Sequence, residues 1–257
     1  MWLRYKSKTP EDFGVKIVGV GNLSVGGSGK TPLVTALALN EPNAAVILRG
    51  YGRESQGLYV VKNREEILCD VSVSGDEAMI YAHKLPNAIV IVSEDRKVAI
   101  RKAKEMGVST IFLDDAYSKH DIKKLDILIE VKSKNSACLP AGPFRERLWR
   151  GKEVLVLEDG VDFKRHVTLV DETSKMSLVT AIARPQRLNE FLPDVVSKNY
   201  FPDHHSFRKE ELEAILKRDN AESLLVTYKD YVKVKDFGLR LSLLDLDVTL
   251  GEKIIKQ

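Results

Sequence analysis

Gly21-Asn-Leu-Ser24-Val25-Gly26-Gly27-Ser28-Gly29-Lys30-Thr31-Pro32 is the stretch of this 257-residue chain from which the fold can be read. It follows an apolar, β-branched run, Val15–Val20, and opens a helical pattern, Lys30–Leu39. A glycine-rich loop between a strand and a helix is the context of a phosphate-binding loop. Glycines at 26, 27 and 29 let successive N–H groups curl round an anion without Cβ clashes, and the following helix adds its positive end. On this reading Ser24, Val25, Gly26, Gly27, Ser28, Gly29, Lys30 and Thr31 hold ATP. Lys30 reaches the β- and γ-phosphates as a catalytic cation, and the Thr31 hydroxyl ligates Mg²⁺. Ser24 stands where the usual motif opens on glycine. The bland alternative is a tight turn with no ligand.

Outward from the loop, short apolar runs alternate with helical stretches. Strands are expected at Ala44–Leu48, Leu58–Val61, Ala88–Val92, Thr110–Leu113 and Ile127–Val131, with helices at Asp76–Lys84 and Glu94–Met106. Runs apolar on consecutive residues suit strands buried on both faces, so the fold class is α/β: a mostly parallel P-loop-type sheet sandwiched by helices. After Trp149 the texture becomes charged, with one alternating piece at His166–Val170. A second α/β set follows: strand Leu178–Ile182, helices Pro185–Phe191 and Lys209–Lys217, strands Leu224–Thr227 and Leu239–Leu243. The expected division is a nucleotide-binding kinase domain at 1–158, a connector at 159–176 and a smaller α/β domain at 177–257.

Composition narrows the function. The net charge of +3 is too small to point to nucleic acid, and none is expected as a partner. Cys69 and Cys138 have no metal or redox spacing, which fits a reduced cytoplasmic setting. No apolar run reaches the roughly 18–20 residues that span a bilayer, and the N-terminus lacks a secretory h-region.

A second element on the metal side should end a later strand, and Thr110-Ile-Phe-Leu-Asp114-Asp115 supplies it with two carboxylates, Mg²⁺ ligands beside a P-loop and a turn or cap otherwise. Further motifs follow in order. They are Leu48-Arg-Gly-Tyr-Gly-Arg53, Gly75-Asp-Glu77, Leu139-Pro-Ala-Gly-Pro143 with Arg145-Glu146, Ala181-Ile-Ala-Arg-Pro185, Phe201-Pro-Asp-His-His-Ser-Phe207 and Val226-Thr-Tyr-Lys-Asp230. With the loop, they make the chain resemble the tetraacyldisaccharide 4′-kinase (lipid A 4′-kinase) family from about Val15 to Lys233.

The resemblance implies ATP-dependent phosphorylation of the 4′-hydroxyl of a tetraacylated glucosamine disaccharide 1-phosphate, a lipid A precursor. It places the enzyme peripherally on the cytoplasmic face of the inner membrane. It also implies a P-loop domain joined to a smaller α/β domain by a two-stranded connector. Asp76 is the expected proton acceptor, with His204 brought from the other domain to orient it, and Asp76→Ala should lose catalysis while keeping ATP. The plain readings are a helix cap for Asp76 and a loop histidine packed on Phe201 for His204; His205 is not expected to act. Arg49, Arg53 and Arg145 are candidates for the transferred phosphoryl or the substrate's phosphate, against ordinary surface ion pairing.

The chain departs from the family pattern at Ala116–Lys119, with His120 one place late, at Ala78 for a proline and at Tyr228 for a glutamate. Few residues precede the first strand, where the family carries a longer membrane segment. Met1–Lys6 and Phe144–Trp149 mix aromatic and basic residues, as interfacial contacts do. The alternatives are a P-loop kinase of another small substrate, a GTPase, whose Asn-Lys-x-Asp motif is not found, and a non-catalytic ATP-binding regulator.

Overall fold

The computed structural model describes residues 9–24, 29–130, 135, 137–149, 151–251 and 254. The strands are β1 (Lys16–Gly21), β2 (Ala44–Leu48), β3 (Tyr59–Asn63), β4 (Glu66–Ile67), β5 (Ile89–Val92), β6 (Thr110–Asp114), β7 (Leu125–Ile129), β8 (Leu155–Leu157), β9 (Phe163–Val170), β10 (Met176–Thr180), β11 (Ser197–Tyr200), β12 (Ser223–Thr227) and β13 (Leu241–Leu250). The helices are α1 (Lys30–Leu39), α2 (Val71–Ser74), α3 (Asp76–Lys84), α4 (Arg96–Glu105), α5 (Lys209–Asp219) and α6 (Tyr228–Val234).

Two sheets form. The first runs β4-β3-β5-β2-β6-β1-β7-β8, parallel from β5 to β8, with the β3–β4 hairpin antiparallel at one edge. Every residue of β2, β5 and β6 is buried, because helices cover both faces. The second runs β11-β10-β12-β13-β9, with only β9 antiparallel. β9 begins at Phe163 rather than His166, and β13 runs on to Leu250 rather than ending at Leu243, because the two pair along eight residues. Phe163, Val248 and Leu250 from this pair join the apolar cluster beneath the first sheet, so the ribbon ties the two sheets together.

Register places the site. In parallel pairing Gly19 stands opposite Leu113 and Val20 opposite Asp114. The loop that leaves β1 therefore lies beside the carboxylates that end β6, where ligands settle in open parallel sheets.

Two further expectations are corrected. Pro185–Glu190 is a 3₁₀ helix, without the α-helical hydrogen bonding expected there. The run expected at Ile127–Val131 starts earlier, at Leu125, because it contains a buried charge: Asp126 accepts from Lys124 at 3.1 Å and Lys152 at 2.7 Å. Val131 lies outside the described residues. Asp126→Ala would leave Lys124, whose side chain is fully buried, without its counter-charge. The expected cost is about 3–5 kcal/mol of stability. Urea unfolding checks it, and a midpoint equal to that of the parent would refute the role.

Candidate functional site

The phosphate loop is built on a buried start. Ser24 is buried, and Asn22 Nδ2 donates to its carbonyl at 2.7 Å and to its Oγ at 3.1 Å. Val25, Gly26, Gly27 and Ser28 lie outside the described residues. Gly29 caps α1 at φ 76°, a left-handed conformation that glycine adopts without strain, and the Arg165 guanidinium would meet a Cβ there at 2.9 Å. The conformation favours glycine at that position, whereas the Arg165 side chain could swing aside.

Lys30 Nζ donates to Asn22 Oδ1 at 2.9 Å and lies 3.5 Å from Asp115 Oδ1. Arg145 grips both Asp115 oxygens, at 2.8 and 3.1 Å. It arrives because its segment zips onto the loop's stem: Arg145 N donates to Leu23 O, and Phe144 bridges Ser24. Burial raises the Asp115 carboxyl, but the Arg145 hydrogen bonds and Lys30 outweigh that and hold it low. Asp115 is thus paired with an arginine here.

Asp114 is different. It is buried, Tyr81 donates to its Oδ2 at 2.8 Å, and its Oδ1 has no partner among the described residues. Burial pushes its carboxyl up, against the pull of Lys30. Neighbouring Glu77 is pushed up to about 7, by burial and then by Asp114. A buried carboxylate oxygen without a partner among the described residues, with the Thr31 side chain close to the same Tyr81, offers oxygen donors suited to a hard cation. Arg96 braces this corner by donating to Ser93 O at 2.9 Å and to Asp114 O at 3.0 Å; burial lowers its own pKa to about 10.

Asp76 opens α3 as its first residue; Gly75, at φ 83°, is the cap, so the carboxylate is not engaged in capping. It meets His204 Nδ1 at 3.1 Å, across the boundary between the sheets, and Lys233 at 3.7 Å. Burial raises Asp76, but the His204 hydrogen bond and the charges of Lys233 and Lys229 prevail and hold it below the usual range. His204 sits at φ 61°, its ring 5.1 Å from Tyr51 and packed over Gly52. Such a non-glycine conformation persists only where surrounding contacts hold it, and it concentrates at functional sites. The packed loop histidine is instead His205, stacked on Phe201 at 4.8 Å and paired with Glu211 at 3.1 Å.

A cavity of about 630 Å³ lies between the two sheets. Gly29, Thr31 and Glu77 line one side, and His204, Asp203 and Lys229 the other. Asp76 stands behind His204, not among the lining residues. A smaller cavity of about 300 Å³ abuts Asn22, Asp115 and Arg145.

Arg53 does not reach either cavity. Its guanidinium is spent on Glu94 at 2.5 Å, Gly57 O at 2.6 Å and Ser55 at 3.1 Å, bracing its own loop. Arg49 is exposed at the end of β2, with no partner among the described residues. Tyr81, Arg96, Lys229 and Lys233 were not anticipated; the only signal in the sequence was that Lys229 falls within Val226–Asp230.

Comparisons with known proteins agree on one group. The family model described as tetraacyldisaccharide-1-P 4′-kinase matches residues 2–256. A tetraacyldisaccharide 4′-kinase of Aliarcobacter butzleri is 48% identical, the match covering 98% of this chain and 83% of the relative. Those of Campylobacter jejuni and Helicobacter pylori are 46% and 41% identical, covering 93% and 99% of this chain and 78% and 83% of the relatives. Among solved structures, the "apo" form of LpxK from Aquifex aeolicus in complex with ATP superposes with a TM-score of 0.75 at 25% identity, covering 96% of this chain and 88% of that one.

Proposed function

This chain belongs to the tetraacyldisaccharide-1-P 4′-kinase family, and from that premise we propose how its residues carry out the transfer. It is an ATP-dependent kinase of lipid A biosynthesis that phosphorylates the 4′-hydroxyl of a tetraacylated disaccharide 1-phosphate. The observation that carries the site assignment is the cavity bounded on one side by Gly29 and Thr31 and on the other by His204. Nucleotide phosphates on the loop and an acceptor hydroxyl at the imidazole would face each other across it. Phosphoryl transfer needs mainly such alignment and charge neutralisation.

Within the dyad, the roles expected from the sequence are exchanged. His204 faces the cavity and takes the hydroxyl proton at Nε2, while Asp76, buried and held ionised, accepts from Nδ1 and fixes the ring. A carboxylate held low behind the ring is a poor base but a good orienter. Lys30, Thr31 and the flanking loop hold the nucleotide.

Thr31 and Asp114 would hold Mg²⁺, and the unpartnered Asp114 Oδ1 supports that fit. When bound, the ion neutralises charge on the phosphates. Asp115, gripped by Arg145, would keep its charge beside Lys30 and join the metal side only where that pair opens. Arg49, exposed just after the end of β2, is the remaining arginine candidate for the developing phosphoryl charge. The division at 1–158, 159–176 and 177–257 fits two catalytic halves that contribute Lys30 and His204 respectively.

No helix among the described residues is long and apolar enough to cross a membrane. Peripheral contact is supported by Leu139, Leu148 and Trp149, exposed near Arg145 and Arg147 on one segment, although Trp149 also packs on His120 at 4.1 Å. Met1–Lys6 lies outside the described residues. In flotation with anionic liposomes the intact chain is expected to rise with the lipid; a chain left at the bottom of the gradient removes the membrane contact. For the activity itself, γ-labelled ATP, Mg²⁺ and the tetraacylated disaccharide 1-phosphate are expected to give a labelled lipid. Label remaining wholly in nucleotide would overturn the assignment.

A further inference from the structure

Helix α6 lays one lysine on each end of the Asp76–His204 pair. Lys229 and Lys233 stand four residues apart, so they leave the same face of the helix. Lys233 lies between two carboxylates, 3.1 Å from Asp230 and 3.7 Å from Asp76, and its charge is fully engaged there. Asp230 also accepts from Thr180 and Thr227, which fixes the arrangement.

Lys229 is placed otherwise. It lines the cavity, with Nζ 2.9 Å from Asp203 and 3.3 Å from His204 Nε2. In the tautomer that gives Nδ1–H to Asp76, the ring's lone pair is on Nε2, and an ammonium can only donate. The charged groups around the ring are Asp76 and Glu77 from α3, Lys229 and Lys233 from α6, and Asp203 beside it. Of these, only Lys229 lies within hydrogen-bond reach of the nitrogen that must take the proton. A merely structural Lys229–Asp203 pair, with Asp203 partly exposed, would contribute little and gives no reason for that aim.

We propose that Lys229 is a catalytic cation of this transfer, guarding the Nε2 lone pair before the acceptor arrives and then holding the negative charge that develops beside it. The proposal rests on the cavity being the acceptor site. When the acceptor hydroxyl donates to Nε2, it displaces the ammonium by one hydrogen-bond length, onto the attacking oxygen and the γ-phosphoryl. The O–H bond then breaks as its proton passes to Nε2, an O–P bond forms at the γ-phosphorus, and the bond from that phosphorus to the β-phosphate oxygen breaks to release ADP. Lys229 keeps its protons throughout and acts only through charge.

The test uses the full chain with Mg²⁺–ATP and the tetraacylated disaccharide 1-phosphate in mixed micelles. Lys229→Met is expected to lower kcat about 100-fold, with the acceptor KM and the directly titrated ATP affinity within about threefold of the parent. Lys229→Arg should recover about tenfold of that loss, since the charge returns in a different shape. Melting temperatures should match, because the lost pair is a partly exposed one. A parental kcat in Lys229→Met, or a change confined to KM, overturns the proposal when His204→Ala is inactive in the same assay. If His204→Ala also turns over at the parental rate, the acceptor-site reading itself has failed.

Discussion

With His204 replaced by alanine, the chain is expected to bind ATP with unchanged affinity and to transfer its γ-phosphoryl about 10³ times more slowly, the middle of the range for loss of a positioned base. Affinity should hold because the phosphate loop belongs to the first sheet and His204 to the second, with its backbone hydrogen-bonded to Ala181. Asp76→Asn should cost about 10²–10³ in kcat, because an amide keeps the shape but no longer stabilises a charged imidazole or enforces the Nδ1–H tautomer. The order of the two effects assigns the roles. A His204→Ala enzyme clearly faster than Asp76→Asn would make the carboxylate the proton acceptor, as the sequence alone suggested, and the ring its support. Single-turnover measurement with saturating nucleotide separates transfer from binding and product release.

The parts of this molecule legible in the sequence are those where one short segment carries its own physical reason. The strand and the helix that flank the glycine-rich loop are one, since the apolar run before it and the helical pattern after it each stand in their own residues. The apolar strand that ends at Asp114 is another, since its run of buried residues is unbroken up to the charge. What escaped depends on long-range partners. Arg53 and Arg145 both sit in arginine-bearing motifs, yet one braces a loop through Glu94 and the other reaches Asp115; only the folded path of residues 137–149 distinguishes them. β7 was misplaced because Asp126 looks like a strand end until Lys124 and Lys152 close round it. Helix α6 is seven residues, Tyr-Lys-Asp-Tyr-Val-Lys-Val, too short and too rich in β-branched and aromatic residues to give a helical pattern. Its placement against α3, and hence the two lysines at the dyad, follows from tertiary packing alone. Asp76 was legible as a residue of the site, but the burial and the neighbouring cations that hold it below the usual carboxylate range are invisible in a motif.

Asp114→Asn is expected to lower kcat/KM for Mg²⁺–ATP by about 10²–10³ while making the nucleotide-free protein more stable. The two halves of that outcome share a cause. An asparagine keeps an oxygen for the Tyr81 hydroxyl, so the hydrogen bond to the buried side chain survives and only the charge is removed. In the absence of a cation that charge is a burden, since Asp114 is buried with one oxygen unpartnered and Glu77 beside it. Its carboxyl is raised above the ordinary value, so folding is favoured most below the unfolded-state pKa, and that contribution is lost as pH rises through the folded-state one. The parent without nucleotide should therefore lose melting temperature as pH climbs from the ordinary carboxylate range toward neutrality, and Asp114→Asn should lose less. Near neutral pH the variant is expected to melt about 2–4 °C higher for each kcal/mol of relieved burial. Adding Mg²⁺ and ATP should reverse the ranking, because the carboxylate then gains the partner its free oxygen lacks and the amide gains little. A variant that melts below the parent without ligand, or that keeps the parental kcat/KM, would mean that Asp114 is a structural acid held by Tyr81 and not the metal-side carboxylate of the site.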